Sequence, residues 1–194
     1  PERLDHIGQQ VSVIDDAEIK TRQSVVVSDL LATVPGVSFS RNGGVGGSTS
    51  LRIRGAETDQ TVVIIDGVKL NDPSGTGGGY NFANLLAGDV SRIEILRGPQ
   101  STLWGSQAIG GVINMLTTTP TGDLSTDVAL EAGSRDTAYG RVGVGAGGDW
   151  GGWRLAGGYY TTGGVSAFDK TYGGKEKDGY RNYGLSGRVD LKLN

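Results

Sequence analysis

Cysteine is absent from the 194 residues, so thiolate metal sites, thiol catalysis and disulfide staples are all excluded. Histidine occurs once, as His6, and a His-based triad or imidazole metal cluster therefore has one candidate and no second histidine to join it. His6 reads as a surface residue near the start of the chain. Prolines number only five and the 35 glycines follow no triplet period, which excludes collagen and proline-rich linkers. Long apolar runs are missing too. The longest strongly apolar run is Val62 to Ile65, far short of the ~20 residues of a membrane-spanning helix, so a membrane location demands a barrel. Charge of one sign is not in excess: 18 Lys plus Arg face 21 Asp plus Glu, a net −3 that offers no electrostatic footprint for nucleic acid. No Gly-x-Ser-x-Gly elbow occurs, and neither Gly43 to Gly47 nor Gly75 to Gly79 leads into Gly-Lys-Ser/Thr or completes a dinucleotide fingerprint. The aspartates are scattered, and no catalysis is expected. The chain opens at Pro1 without a basic segment and apolar signal core, and its last residues stop inside a period-two pattern, as expected of a piece of a longer protein.

What is abundant is glycine, about two and a half times the usual ~7% share, and each interior glycine costs a helix roughly 1 kcal/mol. Strands and tight turns are the expected currency. Up to about Thr119 the signals are mixed. Val11 to Ile14 reads as a strand, Asp15 and Asp16 cap a helix over Ala17-Glu18-Ile19, and Ser28-Asp29 cap a second over Leu30-Leu31 that Pro35-Gly36 ends. Leu51 to Arg54 alternates, Thr61 to Ile65 is a continuous apolar strand closed by Asp66-Gly67, and Ile93 to Ile95 is a strand closed by Arg97-Gly98-Pro99. Asn42 to Gly47 and Asn71 to Gly79 are loops by turn chemistry.

From Leu124 onward the helical signals vanish and four alternating segments follow, over 124–133, 137–147, 153–163 and 183–194. In the last, Tyr183, Leu185, Val189, Leu191 and Leu193 share one face while Ser186, Arg188, Asp190 and Lys192 share the other. Ser134 to Asp136 and Gly148 to Gly152 are short connections, whereas Val165 to Asn182 is long and charged. Trp150, Trp153, Tyr159 and Tyr160 stand near strand ends, as an aromatic girdle would place them. Pattern alone leaves two readings open, an outer-membrane barrel and a soluble antiparallel sandwich.

Four blocks carry more. Leu51-Arg-Ile-Arg-Gly55, Val62-Val-Ile-Ile-Asp-Gly-Val68, Ser91-Arg-Ile-Glu-Ile-Leu-Arg-Gly-Pro99 and Leu103-Trp-Gly-Ser-Gln-Ala-Ile-Gly-Gly-Val-Ile-Asn114 stand in the order and spacing of a known plug domain. The chain resembles the TonB-dependent outer-membrane receptors over about Asp5 to Thr118, with Leu30 to Val37 also in family form. Arg41 to Gly44, Ile64 to Asn71 and Gly105 to Gly111 resemble the wording of the cobalamin receptor branch. The resemblance implies an α+β plug domain over 1–119, then over 120–194 the first four antiparallel strands of a 22-stranded transmembrane β-barrel, present here as a fragment. It implies location in the bacterial outer membrane, against its lipid, and TonB-dependent import of a large scarce nutrient. Cobalamin leads as cargo, a ferric siderophore is the alternative, and a soluble binding module is a distant third. TonB would grip a segment upstream of this chain by strand addition. No cofactor is implied.

The resemblance further implies that apical plug loops touch cargo, which here means Asn42, Gly43, Gly44 and Val45 in one loop and Asn71, Asp72, Ser74 and Thr76 in another, with Ala56 to Gln60 a third contributor. Arg52, Arg54 and Arg97 are expected to latch the plug, with Asp66 and Glu94 as partners. In the long connection Asp169, Glu176 and Asp178 are oxygen ligands of the hardness calcium prefers, but their spacing is sparse and Lys170, Lys175 and Lys177 oppose it, so no metal is assigned.

Overall fold

A computed structural model describes residues 10–71, 78–166, 168–174 and 176–192. They form two units, one of residues up to Arg41 together with Ser48–Thr117, the other of Asn42–Gly47 together with the chain from Thr118.

The first unit is built on a five-stranded sheet in the order β1-β6-β7-β4-β5, where β1 is Gln10–Ile14, β4 Thr61–Ile65, β5 Val68–Lys69, β6 Val90–Arg97 and β7 Gly111–Thr117. Only β4 and β7 pair in parallel; the other neighbours are antiparallel. A separate ribbon joins β2 (Val37–Arg41) to β3 (Thr49–Ile53). The unbroken apolar run of β4 reflects burial on both faces. Val63 enters a core with Leu30, Leu31, Ile93, Ile95, Ile113 and Met115, while Val62 and Ile64 turn to a smaller cluster with Ala108 and Val112. Asp66 and Gly67, with φ of 47° and 83°, make the two-residue turn to β5, the all-positive geometry that matches strand twist.

Helix α1 (Asp16–Arg22) starts where the sequence places it: the Asp15 carboxylate accepts the Glu18 N–H at 2.9 Å. Helix α2 (Val27–Leu31) corrects the expectation of a Ser28-Asp29 cap. Its cap position is Val26, which is bridged to Leu86, and the Val27 N–H donates to the Leu85 carbonyl at 3.0 Å, so a neighbouring strand segment replaces a side-chain cap. Helix α3 (Ser101–Trp104) runs into the start of the fourth motif block.

In the second unit β8 (Ser125–Gly133), β9 (Thr137–Gly148), β10 (Gly151–Thr162) and β11 (Tyr180–Leu191) form a continuous antiparallel meander. The register stacks Thr126, Val144, Leu155 and Gly187 in one row, Val128, Val142, Gly157 and Leu185 in the next, and Leu130, Gly140, Tyr159 and Tyr183 in a third. This is the exposed face: Leu130 and Tyr183 are each 80% exposed and Leu185 79%. The opposite face is polar yet more buried, with Arg154 only 5% exposed. Trp153 and Tyr159 end the apolar band about 20 Å apart along β10. Tyr160 is not a member of the girdle as expected, because alternation turns it to the polar face, where it is buried. No helix among the described residues is long and apolar enough to cross a membrane.

Candidate functional site

The 42–47 loop joins β2 to β3. Asn42 and Gly43 are exposed, and Gly44 and Val45 half-buried. The turn closes with the Gly47 N–H donating to the Gly44 carbonyl at 3.1 Å, and Gly43 and Gly46 occupy positive φ of 81° and 90°. At the loop's root Arg41 donates to Ser28 Oγ and Asp29 Oδ1, each at 2.7 Å, and lies over the Phe39 ring at 5.4 Å. The sequence block containing Arg41 carried no hint of this anchor, since its partners lie more than ten residues upstream.

The second loop presents a different arrangement. Asp72, Ser74 and Thr76 lie outside the described residues. Asn71 is described, and its amide is spent on the fold: Oδ1 accepts the Val63 N–H at 2.9 Å, and Nδ2 donates to the Thr61 carbonyl at 2.9 Å and the Gly78 carbonyl at 3.1 Å. Because β5 covers only Ile64 and Ile65 of β4, the side-chain amide completes the ladder as a peptide unit would. Asn71→Ala therefore leaves a buried donor and acceptor of β4 unpaired, an expected cost of about 2–4 kcal/mol in the urea unfolding of the full-length protein. Asn71→Asp, which keeps the acceptor and loses the donor, should fall between. Farther on, Asn81 Oδ1 accepts from Thr49 at 2.9 Å and Ala83 at 3.1 Å, another backbone clamp that sequence reasoning missed. In the third loop, Gln60 Oε1 accepts the Glu57 N–H at 3.2 Å. The Tyr80 ring meets Phe82 edge-on at 4.9 Å between centroids, and burial pushes its phenol above the ordinary value.

Arg52, Arg54 and Arg97, the expected latch, form no ion pairs among the described residues, and Asp66 and Glu94 are not their partners. Arg97 Nη1 donates to the Pro35 carbonyl and Nη2 to Ser12 Oγ, both at 2.7 Å. Arg54, at φ 53°, donates through its side chain to Gln10 Oε1 and through its backbone to the Gly36 carbonyl at 2.7 Å. Asp66 instead receives the Thr117 N–H at 3.0 Å and hydroxyl at 2.6 Å. Glu94 receives Arg92 at 2.7 Å and Asn114 at 3.2 Å. The reason is the strand period: Glu94 and Arg97 are three residues apart on β6 and so point to opposite faces. Arg52 is half-buried.

On the polar face of the second unit one carboxylate serves two arginines. Asp127 Oδ1 meets Arg154 at 2.7 Å and Oδ2 meets Arg141 at 3.0 Å, the pairing a buried guanidinium requires. Along the same face Tyr139, Tyr160 and Tyr180 stand in succession, with centroids 6.5 and 6.0 Å apart. In the long connection Asp169 Oδ1 accepts both the N–H and the hydroxyl of Thr171 at 2.7 Å, and the backbone bond first, then the hydroxyl, holds its carboxyl below the ordinary value. Glu176 accepts from Ser166 at 3.3 Å.

A mixed-sheet unit bearing glycine-rich loops, followed in the chain by a four-stranded antiparallel sheet whose apolar face is the exposed one, is the arrangement of a receptor plug domain and the strands after it. The model of the TonB-dependent Receptor Plug Domain matches residues 3–112, and the chain belongs to that family, whose receptors are bacterial outer-membrane proteins and not enzymes. Among curated relatives it is similar to the vitamin B12 transporter BtuB of Vibrio vulnificus strain CMCP6, 37% identical over 131 residues, which is 68% of this chain and 21% of that protein. The chain thus spans about a fifth of the length of such relatives. Among solved structures it resembles the siderophore receptor PirA from Acinetobacter baumannii, with a TM-score of 0.72 and 26% identity over 95% of this chain and 29% of that one. The fold is also that of the ferric-catecholate import receptor Fiu from E. coli, at a TM-score of 0.72 and 24% identity over 96% of this chain and 25% of that one.

Proposed function

We propose that the chain is the front part of a TonB-dependent importer of vitamin B12: a plug over 1–119 that gates the pore, and over 120–194 the opening strands of a 22-stranded barrel. The observation that carries the transporter reading is the inverted second unit, with leucine, valine and tyrosine exposed and an ion-paired face turned the other way. A soluble sandwich would bury the first face and wet the second. The similarity to vitamin B12 transporters supports the cargo. The loop of Asn42, Gly43, Gly44 and Val45, together with Asp72, Ser74 and Thr76, would offer backbone donors to an amide-rimmed ligand, with Asn71 buttressing the second loop. TonB would pull from upstream.

A second reading, import of a ferric siderophore, is favoured by the similarity to the siderophore receptor PirA. Titration of the full-length receptor separates the two: saturable binding of cyanocobalamin, with ferric enterobactin bound at least about a hundredfold more weakly, is the expected result. The reverse order replaces vitamin B12 with a siderophore.

Arg52, Arg54 and Arg97 remain the proposed latch, with Arg54 and Arg97 acting on neutral acceptors rather than on Asp66 and Glu94. Arg97 ties β6 both to the edge strand β1 and to the turn at Pro35, so Arg97→Ala should speed amide exchange across β1 about tenfold in the full-length receptor. Unchanged exchange would make Arg97 an ordinary solvated strand charge.

A further inference from the structure

The 42–47 loop groups with the four-stranded sheet and not with β2 and β3, the strands it connects. A close contact joins the loop to that sheet. Gly46 sits at φ 90°, and a Cβ built there would overlap the Tyr180 ring, closest to Cδ2 and still only 2.7 Å from Cγ. Cγ is one bond from its own Cβ on β11, so the ring cannot swing aside as the tip of a long side chain would. The ring is also held elsewhere. Its hydroxyl accepts from Asn182 Nδ2 at 2.6 Å, and it lies 6.0 Å from the Tyr160 ring, which in turn meets Tyr139. The loop itself is closed tightly, because the space beside Gly47 is taken by the Asn42 carbonyl. Gly46 against Tyr180 is therefore a backbone-on-ring joint that only glycine permits, with Asn42 and Gly43 left exposed beyond it.

We propose that Tyr180 is the seat of the 42–47 loop, a positioning residue that holds Asn42 and Gly43 where cargo arrives. Its consequence for cargo rests on the reading of this loop as a ligand contact; the seat itself does not. Tyr180 opens β11 directly after the long connection, whose ends are zipped by the Asp178 N–H donating to the Val165 carbonyl at 3.4 Å. Loop, seat and the neck of that connection then form one body.

The test uses the full-length receptor in detergent, checked for native barrel by heat-modifiable mobility. Tyr180→Ala should accelerate amide exchange at Gly47 about tenfold, whereas Tyr180→Phe, which keeps the ring, should stay within about twofold of wild type. Gly46→Ala should also accelerate it, and Gly46→Ala combined with Tyr180→Ala should be no worse than Tyr180→Ala alone, since the two substitutions break one joint. Unchanged exchange in Tyr180→Ala, or additive effects in the double variant, would overturn the seat. Cyanocobalamin titration of Tyr180→Ala then reads the consequence: an affinity about tenfold weaker supports positioning of cargo. Faster exchange with unchanged affinity for cyanocobalamin and for ferric enterobactin keeps the seat and removes the loop from the cargo site.

Discussion

Gly111→Ala should destabilise the first unit by about 3 kcal/mol, near the upper end of what overpacking costs. Gly111 begins β7, the strand flanked by β6 and β4, and pairs with Arg97 on one side and Thr61 on the other. An added Cβ would overlap the Leu96 carbonyl oxygen and come 3.0 Å from Ile53 Cδ1. A methyl tip can move, but a backbone carbonyl inside a ladder cannot without opening β6 against β7. Its neighbour Gly110 is nearly as confined: a Cβ added there would come 2.7 Å from the Ala56 methyl and 3.1 Å from the Gln60 carbonyl oxygen. The paired glycines of the fourth motif block thus mark where two strands and a turn crowd together. Gly44→Ala is the control: nothing lies within 4 Å of its added Cβ, and its expected effect is below about 0.5 kcal/mol. Urea unfolding of the full-length receptor, followed through amide exchange in β6 and β7, measures both. Equal stabilities would mean that β7 relaxes away from β6 at no cost.

Leu185→Arg should cost about 2–4 kcal/mol of barrel stability in a bilayer, the penalty for a cation on the lipid face near the midplane. Leu185 pairs with Gly157, inside the band bounded by the rows of Trp153 and Tyr159, and is 79% exposed. The same change in a water-facing sheet would be neutral or would improve solubility. Its sign therefore tests the direction in which the sheet faces. Ser186→Asn, one residue on and on the polar face, should leave folding within about 0.5 kcal/mol of wild type. Heat-modifiable mobility and urea unfolding in vesicles read both variants. Normal insertion of Leu185→Arg would turn the apolar face away from lipid.

The second unit was the more legible half. Period-two alternation is a property of the extended backbone, and Tyr183, Leu185, Val189 and Leu191 all stand on the face it assigns. The same rule, applied strictly, removes Tyr160 from the girdle and separates Glu94 from Arg97. In the first unit, single elements with strong local signals were readable: the Asp15 cap, the apolar β4 and the Asp66-Gly67 turn. The candidate site was less so. The proposed cargo loops were marked by their glycines, but nothing in the sequence tells that the Asn71 amide closes β4, or that Arg41 reaches back to Ser28 and Asp29.

The sequence by itself determined the four strands of the second unit, β1, β3, β4 and β6 of the first, the face each alternating side chain takes and the family, because these follow from backbone geometry and from the order of the motif blocks; β2, β5 and β7 carried no comparable local signal. Tertiary structure alone decided the partners. Arg97 meets Ser12 across 85 positions and Asp66 meets Thr117 across 51, encounters set by the β1-β6-β7-β4-β5 strand order. A hydrogen bond of that kind has no local signature, because its energy depends on which distant segment the sheet brings within about 3 Å.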